Sequence, residues 1–155
     1  MRATDTVVLA SVAALIAYAL VGCGRRSAPA VLASPTRTPG VLNAEVTQAT
    51  IGATICTHGW TATVRPPTSY TSGLKLRQMA EYGEAGSPTA YQEDHLISLE
   101  LGGDPTDPRN LWPEPYPRAS QVDRIENELN AQVCAGSLSL AEAQRRESAL
   151  KHDYG

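Results

Sequence analysis

The sequence predicts a small α+β domain, and three observations carry that prediction. Apolar residues recur at helical spacing in a mid-chain stretch, an alternating apolar/polar stretch follows it, and two more helical stretches close the chain. The 155 residues suit one domain.

Residues 7–22 (VVLASVAALIAYALVG) are almost entirely apolar and follow a short segment holding Arg2 and Asp5. The run is short for a membrane span and predicts the core of a signal peptide. Leu20-Val21-Gly22-Cys23 resembles a lipobox, in which the cysteine is diacylated before cleavage. The expected organisation is a lipoprotein signal peptide over 1–22, lipidated Cys23 with a disordered linker over 23–40, and a folded domain over 41–155. The implied location is extracytoplasmic, on the cell membrane or outer membrane through Cys23. The linker expectation rests on GRRSAPAVLASPTRTPG, rich in Pro, Ser, Ala and Thr and without apolar periodicity.

The chain has three cysteines. With Cys23 lipidated, Cys56 and Cys134 meet in an oxidising compartment and are expected to pair. The alternative is two unrelated buried thiols. The net charge of −3 and the presence of only two lysines exclude a domain that grips nucleic acid through a broad basic face. Any nucleic-acid chemistry must sit in a local site.

A brief helix is possible around 46–54, and Arg65-Pro66-Pro67 interrupts regular structure. Residues 68–82 (TSYTSGLKLRQMAEY) predict an amphipathic helix with Leu74, Leu76, Met79 and Ala80 on its apolar side and Gly83 at its end. Residues 91–101 (YQEDHLISLEL) predict a hairpin or two short strands, broken by Gly102-Gly103. Residues 104–117 contain Pro105, Pro108, Pro113, Pro115 and Pro117, so no regular element is expected there. Val122, Ile125, Leu129 and Val133 predict a helix over about 119–134. A second begins near Ser139, with Glu142 in a capping-box position.

The chemistry concentrates in Glu93-Asp94-His95-Leu96-Ile97, Leu99-Glu100-Leu101-Gly102-Gly103 and Asn110-Leu111-Trp112-Pro113. DHLISLELGG followed by NLWP resembles the HNH, or His-Me finger, nuclease family over about residues 91–127. A wider run from CTHGWTATVRPPTSYT to VCAGSLSLAEAQ resembles small bacterial and phage-associated members. The resemblance implies a ββα-metal core with additional flanking helices and metal-dependent phosphodiester hydrolysis, with DNA or RNA as substrate.

Phosphodiester hydrolysis needs a base to deprotonate water and a cation to stabilise developing charge. His95 fits the base, since a neutral imidazole accepts a proton near pH 7. Asp94 suits a hard cation, with Mg2+ the expected ion. Adjacent strand residues point to opposite faces, so the two share a site only at a strand end. Asn110 corresponds to the asparagine that pins the loop in the resembled family. That family normally completes its metal site with His or Asn on the following helix, yet no histidine occurs between 96 and 151. Asp123 and Glu126, one helical turn apart, are the candidates for that place, with Asn127 beside them; the alternative is a solvated helix face.

Blander expectations attach to the remaining residues. His58 and His152 read as loop or surface histidines, Trp60 and Trp112 as packing residues, and Arg65 and Arg109 as surface cations able to hold a phosphate. The rival to the nuclease reading is a non-catalytic envelope lipoprotein that retains an HNH-like scaffold for binding. A hydrolase of another phosphate ester is a third possibility.

Overall fold

The computed structural model describes residues 31–154. The signal peptide expected over 1–22, Cys23 and residues 24–30 of the expected linker lie outside the described residues. In order, the elements are α1 (Trp60–Val64), α2 (Thr68–Tyr82), β1 (Tyr91–His95), β2 (Leu111–Pro115), α3 (Arg118–Cys134) and α4 (Leu140–Asp153), with short 3-10 turns before α1, before β1 and in the β1–β2 connection. Among the described residues the fold is α+β, with one two-stranded antiparallel sheet.

Helix α2 has the predicted bounds and ends at Gly83 in the left-handed region (φ 72°). Its N-cap is Pro67, and no side-chain hydrogen bond caps the helix there. Leu74 and Met79 are buried, whereas Leu76 faces solvent. Helix α3 buries Val122, Leu129 and Val133 as expected. Ser139 caps α4 by accepting from the Glu142 amide. Glu142 does not complete a capping box; its carboxylate pairs with Arg145 and Arg146.

The proline-rich stretch corrects the sequence expectation, because β2 runs directly through Pro113. It pairs with β1 in the register His95↔Leu111, Glu93↔Pro113, Tyr91↔Pro115. The flanking bonds, Leu96 N to Asn110 O and Tyr116 N to Ala90 O, set the phase of the ladder. Even-numbered residues of β2 therefore bond to β1, and Pro113 and Pro115 occupy positions whose amide would point away from it. The alternating stretch yields only one strand, since residues 99–101 form a 3-10 turn within the long β1–β2 connection.

The linker expectation also fails over residues 31–40. Ala33 and Thr38 are buried. The Ala33 amide donates to the Lys151 carbonyl, the Gly40 amide donates to the Arg109 carbonyl, and Thr38 Oγ1 lies 2.7 Å from the Tyr82 hydroxyl. Paired polar groups and a fitted alanine hold a segment whose composition alone reads as solvated chain.

The main core gathers Val46, Ile55, Ile97, Leu101, Leu129, Val133, Leu140 and Ala143, with Trp60 against it. A smaller cluster packs Ala33, Leu96 and Trp112 beside Tyr82. Cys56 and Cys134 form a disulfide 78 residues apart in sequence, tying the segment before α1 to the end of α3.

Candidate functional site

His95 is the last residue of β1, where the chain leaves the sheet, and Asp94 and His95 line one cleft. The strand-end condition set by the sequence is thereby met. The His95 Nε2 atom lies 3.1 Å from the Pro105 carbonyl. A carbonyl can only accept, so Nε2 carries the proton and Nδ1 keeps its lone pair. Burial pushes the imidazole pKa below its ordinary value, against the opposing pull of the Pro105 carbonyl and Asp94. A lowered pKa favours the neutral ring.

The β1–β2 connection that holds Pro105 is fixed from several sides. Asn110, fully buried, receives the Ile97 amide at 3.0 Å and donates to the carbonyls of Ile97 (3.0 Å) and Asp104 (2.9 Å). Asn130 and Gln144 donate to the carbonyls of Glu100 and Leu101, and Glu147 accepts from the Ser98 amide. Asn110 thus organises the loop without lining the cleft.

Asp123 and Glu126 of α3 do come together with Asp94: one carboxylate oxygen from each lies within 4.8 Å of the others. Asp94 and Glu126 are buried and Asp123 is half-buried, so these are not members of a solvated helix face. Gln92 Nε2 bridges two of them, donating to Asp94 Oδ1 at 3.2 Å and Asp123 Oδ1 at 3.3 Å. Asn127 stays exposed and donates to the Asp123 carbonyl instead.

Sequence reasoning missed Lys151. It is fully buried, and its Nζ donates to Asp94 Oδ2 at 2.7 Å, to Glu126 Oε1 at 2.6 Å and to the His95 carbonyl. Glu147 stands 3.5 Å away. Burial alone would raise Asp94, but the Lys151 ammonium, which also donates to it, outweighs burial and holds the carboxyl below its usual value. Burial instead pushes Glu126 well up and Glu147 up, against the pull of the same ammonium. Glu114, on β2, is raised to about 9 by burial and by the neighbouring Asp94 charge. Helical spacing places Glu147 and Lys151 on one face of α4, but nothing in the sequence indicates that this face meets β1.

The cleft is small, about 60 Å³, and lined by Asp94, His95, Asp123 and Glu126 with Arg65 among its remaining walls. That is room for an ion with roughly one or two waters. Arg65 is exposed beside the cleft, whereas Arg109 is engaged by Asp107 at 2.6 Å. Trp112 is fully buried against Tyr82 and does not reach the mouth. His58 belongs to a separate open pocket of about 320 Å³ beside the disulfide. His152 is half-buried, with Nε2 3.0 Å from the Thr38 carbonyl.

The donor set fits a hard cation: three carboxylates at short separation, of the type that Mg2+ or Mn2+ prefers. No protein-family model matches the chain, and neither a curated protein nor a solved structure matches it.

Proposed function

We propose that this chain hydrolyses phosphodiesters with the help of a divalent cation, as an HNH-like nuclease built on a ββα-metal core. The observation that carries the reading is the shared cleft of a neutral, carbonyl-anchored His95 and the Asp94, Asp123, Glu126 trio. The succession β1, long loop, β2, α3 supports it, since base, loop-organising asparagine and acidic helix follow in the order that the sequence resemblance implies.

In this reading the His95 Nδ1 lone pair takes a proton from the attacking water. The carbonyl at Nε2 keeps the ring in the required tautomer and disperses the charge that forms on it. Arg65 offers a planar pair of donors to a phosphate at the mouth. A Mg2+-like ion held by Asp94, Asp123 and Glu126 would supply charge stabilisation to the phosphate and leaving oxygen. The Cys56–Cys134 disulfide supports a location outside the reducing cytoplasm, and a lipid anchor at Cys23 completes the proposal.

The second reading, a non-catalytic envelope lipoprotein on the same scaffold, is favoured by Lys151, whose ammonium already compensates Asp94 and Glu126. Cleavage of plasmid DNA and of RNA by the full chain in mild detergent, with Mg2+, Mn2+ or EDTA, separates the two. Cation-dependent cleavage that disappears in His95→Ala is the expected result. Folded, disulfide-intact protein that cleaves neither polymer retires the enzymatic reading in favour of the second.

A further inference from the structure

We infer that Lys151 is a positioning residue for His95: from α4 it ties the backbone of the base to the acidic pair, fixing base and carboxylates relative to each other. The inference rests on the reading of His95 as the base. An ammonium has three N–H donors, and all three of Lys151 are used, on Asp94 Oδ2, Glu126 Oε1 and the His95 carbonyl. These acceptors belong to two elements, β1 and α3, and the donor to a third. The arrangement is a tripod whose apex, within the described residues, no solvent reaches, since Lys151 is fully buried. Water therefore cannot substitute for any leg.

The third leg distinguishes this arrangement from a plain ion pair. Two carboxylates would suffice to neutralise Lys151, and Glu147 stands close enough to contribute charge. The bond to the His95 carbonyl adds little neutralisation, but it fixes the peptide from which the imidazole projects. The ring's far end is held by the Pro105 carbonyl, so backbone and ring tip are both constrained and the orientation of Nδ1 follows. The α4 turn that carries Lys151 is anchored in turn, because the Lys151 carbonyl accepts the Ala33 amide. Residues 31–33 therefore belong in any protein used as a test.

The test is the imidazole nitrogen spectrum of His95 in the full, cation-free chain, compared between wild type and Lys151→Met, with His58 as internal reference. Wild type is expected to show the Nε2–H tautomer with a proton protected from exchange. Folded Lys151→Met is expected to lose that protection and populate both tautomers, and to lower kcat at least tenfold at unchanged KM. An unchanged His95 spectrum in folded Lys151→Met overturns the inference and leaves Lys151 as a stabilising ion pair. Lys151→Met/Glu147→Gln removes a buried carboxylate along with the ammonium and serves if the single variant does not fold. If neither folds, the wild-type ammonium decides: exchange-protected Nζ protons coupled to the His95 carbonyl support the tripod, and rapid exchange overturns it. A tautomer change in a protein that cleaves nothing upholds the positioning role and retires the nuclease reading.

Discussion

Asn110 and Ile97 exchange two hydrogen bonds across the β1–β2 connection: the Ile97 amide donates to Asn110 Oδ1, and Asn110 Nδ2 returns a bond to the Ile97 carbonyl, each at 3.0 Å. The side chain thus imitates a strand partner where the ladder has ended at Leu96 and Asn110. The loop that carries Pro105, and through it the tautomer of His95, hangs on this exchange.

Asn110→Ala is accordingly expected to cost about 2–4 kcal/mol, because the Ile97 amide and the carbonyls of Ile97 and Asp104 lose their partner inside the protein. Asn110→Asp should be worse, since it keeps the acceptor but sets a carboxylate oxygen against two carbonyls. Denaturant midpoints of the two variants check the order. Asp equal to or better than Ala would mean that the donated bonds do not hold the loop.

Gly103→Ala should fail for a different reason. A Cβ at this position would stand 1.8 Å from the Ile97 carbonyl oxygen and 2.6 Å from Asn110 Nδ2, a collision with the same backbone that the asparagine grips. A loss of about 3 kcal/mol or more, or no folding at all, is expected. Gly136→Ala is the contrast: its φ of 74° disfavours a side chain, but nothing lies within 4 Å of the added carbon, so about 1 kcal/mol is expected. Similar losses at both positions, measured by thermal unfolding, would refute the steric argument.

The contrast between these features and others shows what a sequence discloses. The DHLISLELGG and NLWP segments announce His95, Gly103 and Asn110 because the turn, the loop and its pin lie close together in the chain. The bounds of α2 and α3 follow from periodicity within each segment. Strand β2 stayed hidden because the tolerance of Pro113 depends on which amides face β1, a property of the pair and not of the segment. Lys151 stayed hidden because its acceptors lie 57 residues away at Asp94 and 25 away at Glu126. The packing of residues 31–40 depends likewise on Tyr82, Arg109 and Lys151.

The disulfide is the clearest stability lever. Closing a loop of 78 residues restricts the unfolded chain by about 4 kcal/mol in the entropy model, an upper figure because denatured-state structure reduces it. Replacing both Cys56 and Cys134 by Ala should lower the unfolding free energy by about 2–4 kcal/mol. Urea titration of the double variant beside wild type measures the loss, and a change below about 1 kcal/mol would mean that the bond staples segments already held by the core.

Glu114 gives the pH dependence. Neither of its oxygens receives a hydrogen bond from any described residue. A protonated Glu114 can donate to Asp94, which is consistent with its pKa being raised to about 9. A group whose folded pKa lies above its unfolded one contributes stability fully present below the unfolded value, here 4.5, and lost as pH climbs through the folded value. Wild-type stability should therefore decline between about pH 5 and pH 9. Gln cannot ionise, yet its Nε2 can make the same donation to Asp94, so Glu114→Gln should match wild type near pH 5 and exceed it increasingly toward pH 9. The variant's profile will not be flat, because burial raises Glu93 to about 8 in the same direction. Unfolding midpoints at pH 5, 7 and 9 decide: parallel profiles for the two proteins would mean that Glu114 is ionised in the folded state and that the negative charge beside Asp94 is balanced entirely by Lys151.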